Sequence, residues 1–171
     1  MKHRYGQAKE FLEVFTPQLQ ALAAQHAERA YTGVAPSLLV VEKGYGVPTL
    51  EVFLCLQLED LNMFAGVKTK LPIERQRELS RLIYTEYPFL KTTEVLLFFH
   101  RLKCGRYGRF YGTVDALFIT SALAQFISER RSDLIRIDEA RKENEKASQP
   151  LSKGITYQEY LRRKQLKQNN L

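Results

Sequence analysis

Residues 92–115 read TTEVLLFFHRLKCGRYGRFYGTVD, and this segment decides the fold. The run Val95–Phe99 is apolar on every side, a pattern typical of a fully buried helix or a buried strand. Thr92 or Thr93 is a suitable helix cap, and Glu94 suits the positive end of a helix. These caps and the polar residues that continue the pattern favour a buried helix.

The second half of the segment, Cys104–Asp115, holds three glycines, three aromatic residues and two arginines. Glycine permits positive φ or the close approach of another group. Asp115 is a strong N-cap for a following helix. Two interpretations stay open: a rigid corner whose aromatic rings pack against the protein, or a binding surface formed by the arginines and tyrosines.

Outward from this segment, apolar residues recur at three- and four-residue steps, the period of an amphipathic helix. The predicted helices are Gln7–Tyr31 with a break at Thr16-Pro17, a turn or two after Ser37, Pro48 to about Phe64, Pro72–Glu86, Thr92–Lys103, a long helix after Asp115, and Tyr157–Gln168. The pattern predicts an all-α fold of about six or seven helices. We expect one helical domain over 1–147, a linker over 148–155, and a tethered basic C-terminal helix over 156–171 that a Thr156/Glu159 capping box opens.

The charge balance is basic and uneven. The net charge is +7, and no acidic residue lies between Val95 and Val114. Such an excess indicates an anionic partner, nucleic acid or an acidic protein face, or else a solvated surface. No stretch approaches the ~20 apolar residues that span a membrane. No apolar signal core follows the basic N-terminus, so we expect a cytoplasmic protein without a membrane partner.

Six residues in and beside the glycine segment are candidates for nucleic-acid binding. Cations neutralise phosphates, and aromatic rings stack on bases. The candidates are Arg101, Lys103, Arg106, Tyr107, Arg109 and Tyr111.

The basic C-terminal helix is a second candidate surface. It either folds back on the core or docks on a partner protein. Its candidate partner-binding residues are Tyr157, Tyr160, Leu161, Arg162, Arg163 and Lys164.

Catalytic and metal motifs are weak in this sequence. The glycine spacing matches neither a phosphate-binding loop nor a dinucleotide fingerprint, and no nucleophile motif is present. His100 and Cys104 are four residues apart, but zinc requires three or four ligands, and Cys55 is the remaining obvious donor. We expect both cysteines to be buried free thiols, and we expect no metal, no cofactor and no enzymatic activity.

The stretches Leu96–Lys103 and Gly105–Asp115 resemble an uncharacterised family of bacterial prophages and conjugative elements. The likeness extends from about Leu50 to Arg130. It implies a role in the life of a mobile element, such as replication, packaging or regulation. The family has no established activity that the resemblance could carry over.

A looser likeness to small helical phage helicase loaders rests on Glu86–Phe89 between two helices and on the basic C-terminal segment. Such loaders are non-enzymatic and bind a hexameric helicase. We therefore expect a non-enzymatic accessory protein for DNA transactions, or alternatively an adaptor for a replication protein. A small enzyme of unknown class is the third interpretation, and the oligomeric state stays open.

Overall fold

The computed structural model describes residues 1–148 and 157–168, and the side chains of 1–147 and 157–162. In these residues the regular structure is helical apart from two isolated β-bridges, Ser37–Lys91 and Thr69–Thr113. The all-α prediction is therefore confirmed. The α-helices are α1 Lys2–Tyr5, α2 Ala8–Val14, α3 Gln20–Gln25, α4 Ala27–Thr32, α5 Leu38–Tyr45, α6 Val47–Ala65, α7 Ile73–Glu86, α8 Thr92–Lys103, α9 Ala116–Ser148 and α10 Tyr157–Gln168, with a 3₁₀ turn at Pro17–Leu19.

Helix α8 is the centre of the core. Val95–Phe99 are all buried, as the apolar run predicts, and α8 packs against α3, α4 and α6. The helix begins one residue earlier than a threonine cap would place it. Lys91 is the N-cap residue, and its backbone N–H donates to the Glu94 carboxylate at 2.8 Å. Thr92 is thus the first helical residue, and its buried hydroxyl has no hydrogen-bond partner in the described residues.

Helix α6 supplies the second large apolar face. Six of its apolar residues recur at the helical period and are predicted to face inward, and five of them are buried, namely Leu50, Phe53, Leu54, Leu58 and Leu61. The sixth, Phe64, is exposed. Gly66 terminates the helix in the left-handed conformation with φ +60°, as glycine after a helix predicts.

The N-terminal third is divided more finely than its apolar pattern predicts. The break before Pro17 is confirmed, and Thr16 takes the extended conformation that precedes the proline. A second break falls at His26, whose φ of −121° and ψ of 51° separate α3 from α4. Buried Gln20 donates to Gln57 at 2.8 Å, so tertiary contacts fix the short α3 in place.

The chain divides into two compact units, Met1–Ser132 and Asp133–Leu171. In the second unit, the surface of α9 carries ion pairs between neighbouring turns, such as Arg141–Glu145 at 3.0 Å. Except for Ser148, the predicted linker 148–155 lies outside the described residues, as does Thr156 of the capping box. The domain boundaries therefore stay a prediction. Within the described part of the chain, the helices are too short or too polar to cross a bilayer.

Candidate nucleic-acid interface

Helix α8 ends in a Schellman motif, which opens Cys104–Asp115, named here the glycine–aromatic loop. Gly105 has φ +74°, and its N–H donates to the Leu102 carbonyl at 3.0 Å. The Arg106 N–H donates to the Arg101 carbonyl at 3.1 Å. These two bonds satisfy carbonyls that the helix end leaves free, and they fix the direction in which the chain leaves α8.

The two later glycines of the loop also adopt positive φ, as predicted. Gly108 has φ +112° and Gly112 has φ +76°. A Cβ atom on Gly108 would lie 3.3 Å from the Phe118 ring. The Phe110 ring packs edge-on against Phe118, with centroids 4.8 Å apart. Glycine at position 108 therefore lets α9 lie close beneath the loop.

The far end of the loop is held by the backbone and by a helix cap. The Thr69 N–H donates to the Gly112 carbonyl at 3.3 Å, and the Val114 N–H donates to the Thr69 carbonyl at 3.0 Å. Asp115 Oδ1 accepts from the Leu117 N–H at 2.7 Å, which confirms the predicted N-cap. The loop is thus anchored at both ends.

In the middle of the loop, one carboxylate gathers three side chains. Glu129 on α9 accepts from Arg101 Nη1 at 3.2 Å and from the Tyr107 hydroxyl at 3.1 Å through Oε2. Glu129 Oε1 accepts from Arg106 Nε at 3.1 Å. We name Glu129, Arg101, Arg106 and Tyr107 the Glu129 cluster. In this cluster, two of the four predicted phosphate-binding cations share one internal carboxylate.

Arg101 is the most enclosed of the predicted cations. Its side chain is 12% exposed, and its guanidinium lies 5.9 Å from the Tyr31 ring centroid and 5.6 Å from that of Phe126. Tyr107 points inward, with its ring 6.0 Å from that of Phe98. Burial, reinforced by the negative charge of Glu129, raises the pKa of the Tyr107 phenol well above its ordinary value. The Tyr107 hydroxyl therefore stays protonated and donates its hydrogen bond to Glu129.

Lys103 is held in a separate contact. Its ammonium forms an ion pair with Asp60 on α6 and lies 5.4 Å from the Phe64 ring centroid. Its side chain is largely buried. Phosphate binding by Lys103, Arg101 and Arg106 stays a prediction. Each of these cations would have to exchange its existing ion pair for one with the phosphate.

Arg109 and Tyr111 are placed differently from the other candidates. Tyr111 is 90% exposed. Arg109 is exposed and makes no ion pair with any described residue. Beside Arg109, a hollow of about 400 Å³ is lined by Phe64, Lys103 and Phe110, among other residues. The loop thus presents one unpaired cation, one free aromatic ring and an adjoining hollow to solvent.

Near this loop, the Cys104 thiol and the His100 ring lie side by side as a pair. Cys104 Sγ lies 3.5 Å from His100 Nε2. Both cysteines are free, as expected, but the expected burial of Cys104 is wrong because the thiol is exposed at the helix end, and Cys55 is half-buried. Among the described residues, no three His, Cys, Asp or Glu side chains lie close enough together to hold a metal ion.

The predicted partner-binding residues lie on α10. Tyr157, Tyr160, Leu161 and Arg162 are exposed. Arg163 and Lys164 belong to the same helix, and their side chains lie outside those that the structure describes.

The comparison with protein families places this chain. The model of a family of unknown function, DUF6633, matches residues 70–171, which is more than half of the chain. The chain belongs to DUF6633. No curated protein and no solved structure matches it significantly. The part that matches the DUF6633 model contains the glycine–aromatic loop, Glu129 and the basic α10.

Sequence reasoning missed Glu129, the residue that organises the corner of this DUF6633 protein. The acid-free stretch around the loop hid the pairing, because Glu129 lies 28 residues beyond Arg101. One signal was available. Glu129 is an acidic residue on α9, several turns after the Asp115 cap. When α8 and α9 lie side by side, a residue at that position can lie beside the end of α8 and the loop.

Proposed function

We propose that this DUF6633 protein is a non-enzymatic, cytoplasmic accessory protein of a mobile genetic element that binds nucleic acid. The proposal rests on one observation: an exposed aromatic ring and an exposed cation lie two residues apart in the loop. Tyr111 is 90% exposed, and two residues before it Arg109 is exposed without an ion pair to any described residue. A stacking ring beside a phosphate-binding cation is the combination used for single strands.

Of the six candidate residues in and beside the loop, only Arg109 and Tyr111 form the proposed contact surface. Arg101, Lys103 and Arg106 already have carboxylate partners at hydrogen-bond distance. Their three positive charges lie against two carboxylates, Glu129 and Asp60, which reduces the field that a phosphate backbone meets. Arg106 is half exposed and is the first of the three that a phosphate would recruit.

The basic helix α10 supplies the remaining charge. Residues 157–168 contain Arg162, Arg163, Lys164 and Lys167 against Glu159. Tyr157 and Tyr160 are exposed on this helix and are available for stacking. Each cation contributes about −0.7 to the salt slope on single strands, so the four cations of α10 account for roughly −2.8. Contact of this kind is sequence-independent, with a dissociation constant on the order of 10⁻⁴–10⁻⁶ M at physiological salt.

The test is fluorescence anisotropy with labelled single- and double-stranded DNA across a salt series. Arg109→Ala should weaken binding and reduce the salt slope on single strands by about 0.7. Tyr111→Ala should weaken single-strand binding by about 1–3 kcal/mol, roughly 5- to 150-fold, and leave the salt slope unchanged. Replacing Arg162, Arg163 and Lys164 together by glutamine should lower the slope by about 2.

The matched control is Arg75→Ala. Arg75 is an exposed arginine on α7 that forms an ion pair with Glu78 at 2.6 Å, and its removal costs the chain the same charge. Equal losses of DNA affinity for Arg75→Ala and Arg109→Ala would show that only the net charge of the chain matters, and they would refute the loop site. Absence of binding by the wild-type chain at the lowest salt would refute the function.

A protein–protein adaptor is the second candidate, favoured by one observation. Tyr157, Tyr160 and Leu161 are all exposed at i, i+3 and i+4 on α10. This spacing presents one face of a helix to a groove in a partner. Leu161→Ala should then abolish capture of a purified replicative helicase without altering DNA binding, and unchanged capture would count against the adaptor.

A further inference from the structure

Helices α6 and α7 form an antiparallel hairpin with an open groove between them. Two contacts define this direction: Cys55 Sγ lies 3.5 Å from Ser80 Oγ, and Glu59, one turn later on α6, accepts from Gln76, one turn earlier on α7. The groove has a volume of about 720 Å³. Three exposed aliphatic side chains, Val52, Leu56 and Ile73, line it. Contiguous exposed apolar patches with a polar rim mark interaction sites.

The two walls of the groove carry opposite charges. Glu51 and Glu59 lie on the α6 wall, Arg77 and Arg81 lie on the α7 wall, and Lys70 lies at one end of the groove beside Glu59. Glu51 Oε1 and Arg77 Nε are 3.7 Å apart, so the charged groups of these two side chains lie at the same level along the groove. The groove therefore has one acidic side, one basic side and an apolar floor.

The Glu59 carboxylate remains charged over a wide pH range. Hydrogen bonds from Asn62 at 3.1 Å and from Gln76 at 2.9 Å lower the pKa of this carboxyl. Arg81 has no ion-pair partner among the described residues. The basic wall thus keeps a cation that the protomer itself does not neutralise.

This charge pattern is self-complementary. When two grooves face each other about a two-fold axis parallel to the groove, α6 of each copy lies over α7 of the other. Each acidic wall then meets a basic wall, and residues at the same level meet across the axis. Two-fold axes in other directions place α6 over α6 and bring like charges together, so the charges select one arrangement.

We propose that the α6/α7 groove is a homodimer interface in which α6 of each copy packs against α7 of its partner. Glu51 and Arg77 of the two copies form a ring of four alternating charges, and Val52, Leu56 and Ile73 of both copies fill the space beneath it. An interface limited to one groove is at the small end of specific interfaces, so the dimer is a weak and concentration-dependent one. The dimer does not depend on nucleic-acid binding.

The first experiment measures association of the full chain by sedimentation velocity over a protein concentration series. The wild-type chain should pass from monomer to dimer as its concentration rises. Leu56→Glu places a charge on the apolar floor and should abolish the dimer. Leu82→Glu is the matched control, because Leu82 is an exposed leucine of α7 outside the groove, and it should associate like the wild type.

The second experiment exchanges charges between copies. Glu51→Arg and Arg77→Glu should each raise the homodimer dissociation constant by about tenfold or more, because like charges then face each other. An equimolar mixture of the two variants should associate again. In the mixed dimer, both arginines of the first variant would face the two glutamates of the second across the axis.

Three results would overturn the proposal. One is a wild-type chain that stays monomeric throughout the series, the outcome expected if the groove binds another protein. The second is equal association of Leu56→Glu and Leu82→Glu. The third is a variant mixture that associates no better than its components. Circular dichroism of each variant establishes that it is folded, and DNA anisotropy reads the proposed function separately.

Discussion

We expect one conservative substitution in the Glu129 cluster to destabilise the candidate site. Glu129→Gln preserves the shape of the side chain and removes the single negative charge that Arg101 and Arg106 share. Arg101, whose side chain is 12% exposed between aromatic rings, would then lose its ion pair with Glu129. A cation in such surroundings is costly unless it is paired.

The magnitude follows from the burial of the pair. Removing one partner of a fully buried pair costs roughly 3–5 kcal/mol, whereas an exposed pair contributes roughly 0–1 kcal/mol. Glu129 is 29% exposed, and glutamine keeps an oxygen that can accept from Tyr107. We therefore expect a loss of about 2 kcal/mol in the free energy of unfolding. For a chain of this size that loss lowers the melting temperature by about 4–8 °C.

Thermal and urea unfolding, followed by circular dichroism, measure this loss against two matched variants. Glu94 is fully buried and binds Arg130 at 2.7 Å, so Glu94→Gln should cost more, about 3 kcal/mol. Glu78 is exposed in its pair with Arg75, so Glu78→Gln should stay within about 0.5 kcal/mol of the wild type. If Glu129→Gln behaved like Glu78→Gln, the cluster would not stabilise the corner and the reasoning from burial would be refuted.

Two further predictions concern the same corner. The pKa of the Tyr107 phenol is raised in the folded state, so its contribution to stability is complete below pH about 10 and is lost as the pH rises beyond that value. Urea unfolding across alkaline pH should show a shallower decline for Tyr107→Phe than for the wild type, and identical declines would contradict the assignment. Gly108→Ala combines φ +112° with a contact 3.3 Å from Phe118 and should cost about 2 kcal/mol, whereas Gly112→Ala, with φ +76° and open space around it, should cost about 1 kcal/mol. Thermal melts of the two variants decide this, and equal losses would show that Phe118 moves aside freely.

The sequence predicts the parts of this fold that depend on local chemistry. The apolar run of α8, the inward face of α6, the Gly66 terminator and the Asp115 cap all follow from periodicity or from a single residue's backbone preference. The break at His26 does not, because no proline or glycine marks it. It depends on where the protein holds α3, and that position is set by contacts such as Gln20 to Gln57.

The candidate site was harder to predict for a related reason. The positive φ of the loop glycines is a local property, and the sequence indicates it. The destination of each arginine is a property of the assembled helices. Arg101, Arg106 and Arg109 look alike in a stretch without acids, yet two of them reach Glu129 and the third reaches solvent.

The start of helix α8 has a consequence for how this family can be studied in pieces. Lys91 Nζ donates to the carbonyls of Tyr31 and Gly33 at 2.6 and 2.7 Å, and the Thr93 hydroxyl donates to the Ala30 carbonyl at 2.8 Å. The residues that end α4 are thus tied to the start of α8 from outside the matched range. A fragment limited to 70–171 would expose faces of α8 that α3, α4 and α6 cover. The boundary at which family resemblance begins is therefore not a boundary at which the polypeptide can be cut.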